Sequence, residues 1–161
     1  MATAVSIDRT YIDAWRSLAG ATSALATRIE LAFAAEELPP LAWYEILDGL
    51  SVAPEQSLRM GELAELLPIS KGGMTKMVDR IVANGLVERR ACPTDRRVSY
   101  VALTDAGIET LDRMRPIYEQ QIEEHLAGAL SREEAAALTT ALGPIRHSAC
   151  DAVKDACTED C

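Results

Sequence analysis

Between Ser70 and Arg97 the sequence places seven basic side chains (Lys71, Lys76, Arg80, Arg89, Arg90, Arg96, Arg97) against three acidic ones (Asp79, Glu88, Asp95). Ammonium and guanidinium groups at this density pair with phosphate oxygens, and both can donate to base edges of duplex DNA. The whole chain carries a formal net charge of −9, so this window is +4 and the remainder −13. A positive face on an acidic body can bind DNA locally while the body disfavours loose contact with a polyanion. A solvated charge cluster has the same composition, so the underlying elements must decide between the two.

Other chemistry finds little support. There is no Gly-rich phosphate loop, no His-Glu metal motif and no nucleophile set apart with a base, and His125 and His147 fall on predicted packing helices. No catalytic residue, cofactor or metal site is expected, and the chain does not read as an enzyme. His147, Cys150, Cys157 and Cys161 resemble a ligand set only on paper. On a continuous helix residues 147 and 161 lie ~21 Å apart, whereas zinc needs every ligand within ~2.3 Å of itself. Cys150 and Cys157 would be ~10.5 Å apart, beyond disulfide reach.

The elements that would carry the cations follow from periodicity. Seven aromatics among abundant Ala and Leu favour packed helices. Apolar residues at helical spacing from Ile7 to Phe33 predict a long amphipathic helix, and Leu41, Tyr44, Leu47 and Leu50 a second over about 40–50. Ser57 to Met60 is a minimal strand. Gly61 to Leu67 is a short helix with Leu63, Leu66 and Leu67 turned inward. Pro68 stops it and Ser70 caps the next helix, 71–84, which Asn84-Gly85 closes. Met74, Met77, Val78 and Ile81 face inward there, and Lys71, Thr75, Lys76 and Arg80 outward. A short helix, a tight turn and a capped basic helix make a helix-turn-helix. Leu86–Arg90 and Val98–Leu103 form a hairpin directly after it, a basic wing. Thr104 caps a helix over 105–128 that Pro116 should kink, and Ser131-Arg132-Glu133-Glu134 is a capping box opening a last helix to about Ala149. No run of 18 apolar residues would span a membrane, and with no leader-like N-terminus the expected location is cytoplasmic.

Leu86-Val87-Glu88-Arg89-Arg90, Asp95-Arg96-Arg97 and Leu103-Thr104-Asp105-Ala106-Gly107 together resemble the wing signature of the multiple-antibiotic-resistance regulator (MarR) family. Its Asp-x-Arg loop is followed at fixed distance by Leu-Thr-x-x-Gly. Gly61-Glu-Leu-Ala-Glu, Ser70, Thr75-Lys76 and Val78-Asp79-Arg80 match that family's helix-turn-helix, so the likeness covers roughly 61–107. It implies a mostly α fold with a small β-wing: a winged helix-turn-helix plus long N- and C-terminal dimerisation helices. The layout is then a dimerisation helix over 1–38, a DNA-binding region over 39–103 (recognition helix 70–84, wing 86–103), dimerisation helices over 104–149 and a fraying tail over 150–161.

The resemblance further implies a homodimer on a pseudo-palindromic operator in double-stranded DNA, usually a repressor released by a small lipophilic or aromatic effector not yet identified. Ser70, Lys71, Gly72, Gly73, Thr75, Lys76, Arg80, Arg90, Asp95, Arg96 and Arg97 form the expected DNA-binding set. Thr75 and Lys76 are assigned to base edges, Ser70, Lys71 and Arg80 to phosphates, and Arg97 to the minor groove, with Asp95 orienting a neighbouring arginine. Arg89 and Arg90 alternate along a strand, so at most one faces DNA. Gly72-Gly73 and Lys76 depart from the family pattern, which often has small polar residues and Arg there. Trp15, Arg16, Trp43 and Tyr44 are the candidate effector pocket, against the alternative of core or dimer packing. A redox-responsive regulator using Cys92 or the C-terminal cysteines is the other functional reading, because four nearby arginines favour the Cys92 thiolate.

Overall fold

The computed structural model describes residues 7–91 and 99–156, with side chains throughout except at 147 and 149–156. Helix α1 spans Arg9–Ala35, opened by the Asp8 carboxylate accepting from the Thr10 amide at 2.8 Å. Only the C-terminal end of its apolar stripe is in the core, at Ile29 and Phe33; Tyr11 and Trp15 are 69% and 65% exposed. Helix α2 (Leu41–Ser51) starts after Pro39-Pro40, and its first amide donates to Glu30 Oε1 on α1 at 3.1 Å.

A 3₁₀ turn, Pro54–Gln56, leads into strand β1 (Ser57–Arg59); Glu55 and Gln56 both take positive φ, 54° and 50°. Helix α3 is only Met60–Leu63, shorter than its apolar pattern suggests. The last turn tightens: Glu65 and Leu66 donate to Glu62 and Leu63, three residues back, and Pro68 disfavours the α conformation at Leu67. Leu66 consequently stays 37% exposed instead of turning inward. The Ile69 amide closes the turn around Pro68 by donating to Leu67 O at 2.8 Å.

Helix α4 (Lys71–Ala83) buries Met74, Val78 and Ile81. Strands β2 (Val87–Ala91) and β3 (Ser99–Leu103) are antiparallel, and β1 adds to the other edge of β3, giving the order β1-β3-β2. Helix α5 (Asp105–Ile122) runs unbroken through Pro116. A π turn follows at Glu123–Ala127, where the Gly128 amide donates to Glu123 O five residues back at 2.9 Å. A Cβ on Gly128 would sit 2.8 Å from Glu124 O, so glycine allows the chain to pass this close.

Helix α6 (Arg132–Ala156) opens with the capping box: Ser131 Oγ accepts from the Glu134 amide and Glu134 Oε2 from the Ser131 amide. It extends beyond Ala149 because residues 150–156 hold no glycine or proline to stop it. None of its described side chains is buried. The core therefore lies between α1's C-terminal end, α2, α4, the sheet and α5, where Phe33, Ile46, Leu47, Leu50, Leu63, Met74, Ile81, Val101, Leu111 and Met114 are closed off from solvent.

Candidate nucleic-acid interface

Ser70 Oγ accepts from the Gly73 amide at 3.1 Å and fixes the start of α4. A Cβ on Gly73 would lie 3.2 Å from that hydroxyl, so glycine there keeps the cap close, while Gly72 faces open space. The buried stripe Met74, Val78, Ile81 turns the opposite face outward, and Lys71, Gly72, Thr75, Lys76, Asp79 and Arg80 are all exposed. The Thr75 hydroxyl donates to Lys71 O at 3.0 Å, which leaves its lone pairs and methyl group available outward. At the other end Asn84 Nδ2 donates to Arg80 O at 2.8 Å, Gly85 takes φ +75°, and the Leu86 amide returns to Ile81 O.

The sheet sorts the two adjacent arginines of β2. Arg89 pairs with Val101 in register, on the face toward α4, and its guanidinium donates to Asp79 at 2.7 Å. Arg90 lies on the other face and donates to Glu88 at 2.7 Å. Opposite Arg90 stands Tyr100, and opposite Tyr100 on the far strand stands Arg59, whose Nε donates to the tyrosine hydroxyl at 3.1 Å while its guanidinium lies 5.5 Å from the ring centroid. These three side chains line a 510 Å³ hollow with Glu62 and Leu58. Neither Arg59 nor Tyr100 stood out in the sequence: cross-strand register brings them to Arg90, and no local spacing encodes it. Asp95, Arg96 and Arg97, and with them Cys92, lie outside the described residues, as do Cys157 and Cys161.

The four residues nominated for an effector pocket fall into two environments. Trp15 and Arg16 sit on the exposed part of α1, Arg16 3.7 Å from Asp13. Trp43 packs half-buried on the core, and Tyr44 is buried, its ring stacked on Tyr118 of α5 at 4.4 Å and tilted against Phe33 at 5.9 Å. Burial, then the Asp48 carboxylate, pushes the Tyr44 phenol up to about 12. Tyr118 is raised by burial and by Glu45 and Asp48, and Glu45 is raised by burial and by Asp48. Next to this stack Arg115 donates to Asp48 at 3.0 Å and Ser51 Oγ at 3.3 Å, tying α5 to α2 beside a 460 Å³ cavity. Tyr118 and Arg115 were not singled out in the sequence, where they read as ordinary members of an amphipathic helix.

Among the described residues no helix is long and apolar enough to cross a membrane, and no cluster of His, Cys, Asp and Glu could hold a metal ion.

A helix capped for an exposed basic face, beside an antiparallel hairpin tied to it by Asp79–Arg89, is the winged helix-turn-helix arrangement. Comparison with known proteins agrees. The family model described as "MarR family" matches residues 38–98. The multiple antibiotic resistance protein MarR of Escherichia coli is 34% identical over 77 residues, 48% of this chain and 54% of that protein. The regulator MhqR of Bacillus subtilis is 31% identical over 91 residues, 56% of this chain and 61% of that protein. The chain thus spans little more than half the length of the curated relatives it matches. Among solved structures, a MarR family transcriptional regulator of Streptomyces coelicolor in complex with DNA superposes with a TM-score of 0.82 at 26% identity, covering 92% of each chain.

Proposed function

We propose that the chain is a MarR-family transcriptional regulator that binds duplex DNA as a homodimer over a pseudo-palindromic operator. The observation that carries this reading is the outward face of α4, with Lys71, Thr75, Lys76 and Arg80 exposed from a helix whose N-terminus is capped and free of acidic residues in its first turn. Thr75 and Lys76 meet base edges in the major groove, while Ser70, Lys71 and Arg80, with the backbone amide at Gly72, hold phosphates. Arg90 contacts the backbone from the wing, and Arg97 is assigned to the minor groove, with Arg96 beside it and Asp95 orienting a neighbouring arginine.

The exposed apolar residues of α1, Tyr11 and Trp15, and of α6, Leu138 and Ile145, supply the surface that a second copy covers. A repressor released by a small aromatic effector is the finer reading. The buried Tyr44–Tyr118 stack and the arginine beside it supply aromatic and cationic groups where α2 meets α5, and Trp15, Arg16 and Trp43 extend the set.

The test is fluorescence anisotropy of the full chain with DNA flanking its own gene, against random duplex of equal length. The expected result is a preference of at least ~10³ at physiological salt, as specific binders show. Equal affinity for both duplexes overturns the proposal. Aromatic acids and oxidants screened for release of the bound DNA then separate the aromatic-effector reading from the redox one.

A further inference from the structure

Helix α4 ends against the start of α5, and the contact uses residues with no place in the DNA-facing set. The Thr104 hydroxyl accepts from the Gly107 amide at 3.0 Å, capping α5, and donates to Gly85 O at 2.7 Å, in the turn that closes α4. The Thr104 amide donates to Leu86 O at 3.2 Å. Gly107 is buried against the same carbonyl: a Cβ added there would lie 2.0 Å from Leu86 O, so only glycine permits the approach. Leu103, paired in register with Val87, is buried beneath the joint. One hydroxyl thus joins the turn that follows α4 to the N-terminal end of α5.

We propose that Leu103-Thr104-x-x-Gly107 is a joint that sets the angle of α4 against α5, with Thr104 as its positioning residue. The proposal rests on α4 being the DNA-reading helix. Through α5, which packs on α1 and α2, the joint ties the position of the reading face to that of the long helices. A displacement of α5 is passed to α4 at Gly85 and Leu86, without any contact between Thr104 and DNA.

The experiment uses the full chain with Thr104→Val, which keeps shape and loses both hydroxyl bonds, and Thr104→Ser, which keeps them. Hydrogen exchange of the free protein is read first. In Thr104→Val the amides at 84–86 and at 107–109 exchange together, about tenfold faster, while the α1 amides at 25–33 are unchanged, and Thr104→Ser restores both groups. In anisotropy titrations the preference of Thr104→Val for flanking over random duplex falls about tenfold, equivalent to ~1.4 kcal/mol, and Thr104→Ser recovers it. Faster exchange confined to the start of α5, which marks a plain helix cap, overturns the proposal, and so does an undiminished preference. If the unmodified chain prefers neither duplex, the DNA-binding reading fails, and the exchange pattern still decides whether the two helix ends are coupled.

Discussion

Asp79, on the exposed face of α4, receives the Arg89 guanidinium from the wing strand β2 at 2.7 Å. Both side chains keep substantial exposure, so the pair contributes less than about 1 kcal/mol to stability. Its larger effect is geometric, because it links the two elements that, on the proposed DNA-binding reading, meet one duplex in a fixed relation. Asp79→Asn should leave the thermal midpoint nearly unchanged yet weaken operator binding by roughly threefold to tenfold. Asp79→Asn combined with Arg89→Gln should weaken it no further. Additive losses in that double-mutant cycle would mean that the two residues act independently.

The cations assigned to phosphates make a separate, quantitative prediction. Each phosphate neutralised contributes about −0.9 to the slope of log K against log salt. Lys71→Ala and Arg80→Ala should each flatten the slope by about that amount, while Trp43→Phe should not alter it. An unchanged slope for Lys71→Ala in an anisotropy titration series would remove that residue from the interface.

Two glycines on neighbouring helices should respond oppositely to alanine. At Gly49 in α2 the added Cβ would press on the Leu66 Cδ1 atom at 2.5 Å, the far end of a partly exposed side chain that can swing aside. The ~0.5–1 kcal/mol gained in helix propensity then offsets the disturbance, and Gly49→Ala should be within about 1 kcal/mol of the original. At Gly107 the obstacle is the Leu86 backbone carbonyl, and Gly107→Ala should destabilise by at least about 2 kcal/mol. Urea unfolding monitored by circular dichroism distinguishes the two.

Gln121 of α5 is buried, and its Oε1 has no hydrogen-bond partner among the described residues. An orphaned buried acceptor costs about 1–3 kcal/mol. Gln121→Met, similar in volume, should therefore stabilise by about 1 kcal/mol and raise the thermal midpoint by about 2–4 °C. A lower midpoint in differential scanning calorimetry would show that the amide has a role beyond filling space.

The Tyr44–Tyr118 stack sets the alkaline limit of stability. Both phenols are raised in the folded chain, so folding favours their protonated forms. For Tyr44 that contribution is complete below the unfolded value of 10.0 and is lost as pH rises through about 12, and Tyr118 acts in the same direction. Stability should decline across this window, and Tyr44→Phe should make the decline shallower. A profile identical to that of the original chain would place the cause elsewhere.

The fold class was legible because its signals are local. Ser70, Asn84-Gly85, Thr104 and Ser131 each mark a helix end through a bond within a few residues, and the structure places α4, α5 and α6 where those caps stand. What the sequence hid depends on distant partners or on competing local terms. Helix α3 stops at Leu63, four residues short of the end of its apolar pattern, in a turn of tighter bonds that the pattern does not encode. Pro116 does not interrupt α5, whose buried Leu111 and Met114 hold the helix to the core on the turn before it. Arg59, Tyr100, Arg115 and Tyr118 become noticeable only once strand register and helix crossings are known. The nominated aromatic set divides for the same reason, since periodicity cannot say whether a stripe meets its own chain or solvent.

Strand alternation gives Arg89 and Arg90 different tasks although they are neighbours of identical chemistry. Which arginine braces the helix and which faces away is a matter of odd and even positions along β2. A one-residue slip against β3 would exchange them without altering composition, mass or charge. The product would be an isomer invisible to all three measurements, with the bracing arginine turned to solvent and its neighbour facing Asp79. The division of labour thus follows the parity of the β2–β3 register: variants that shift the pairing by two residues preserve it, and those that shift it by one invert it.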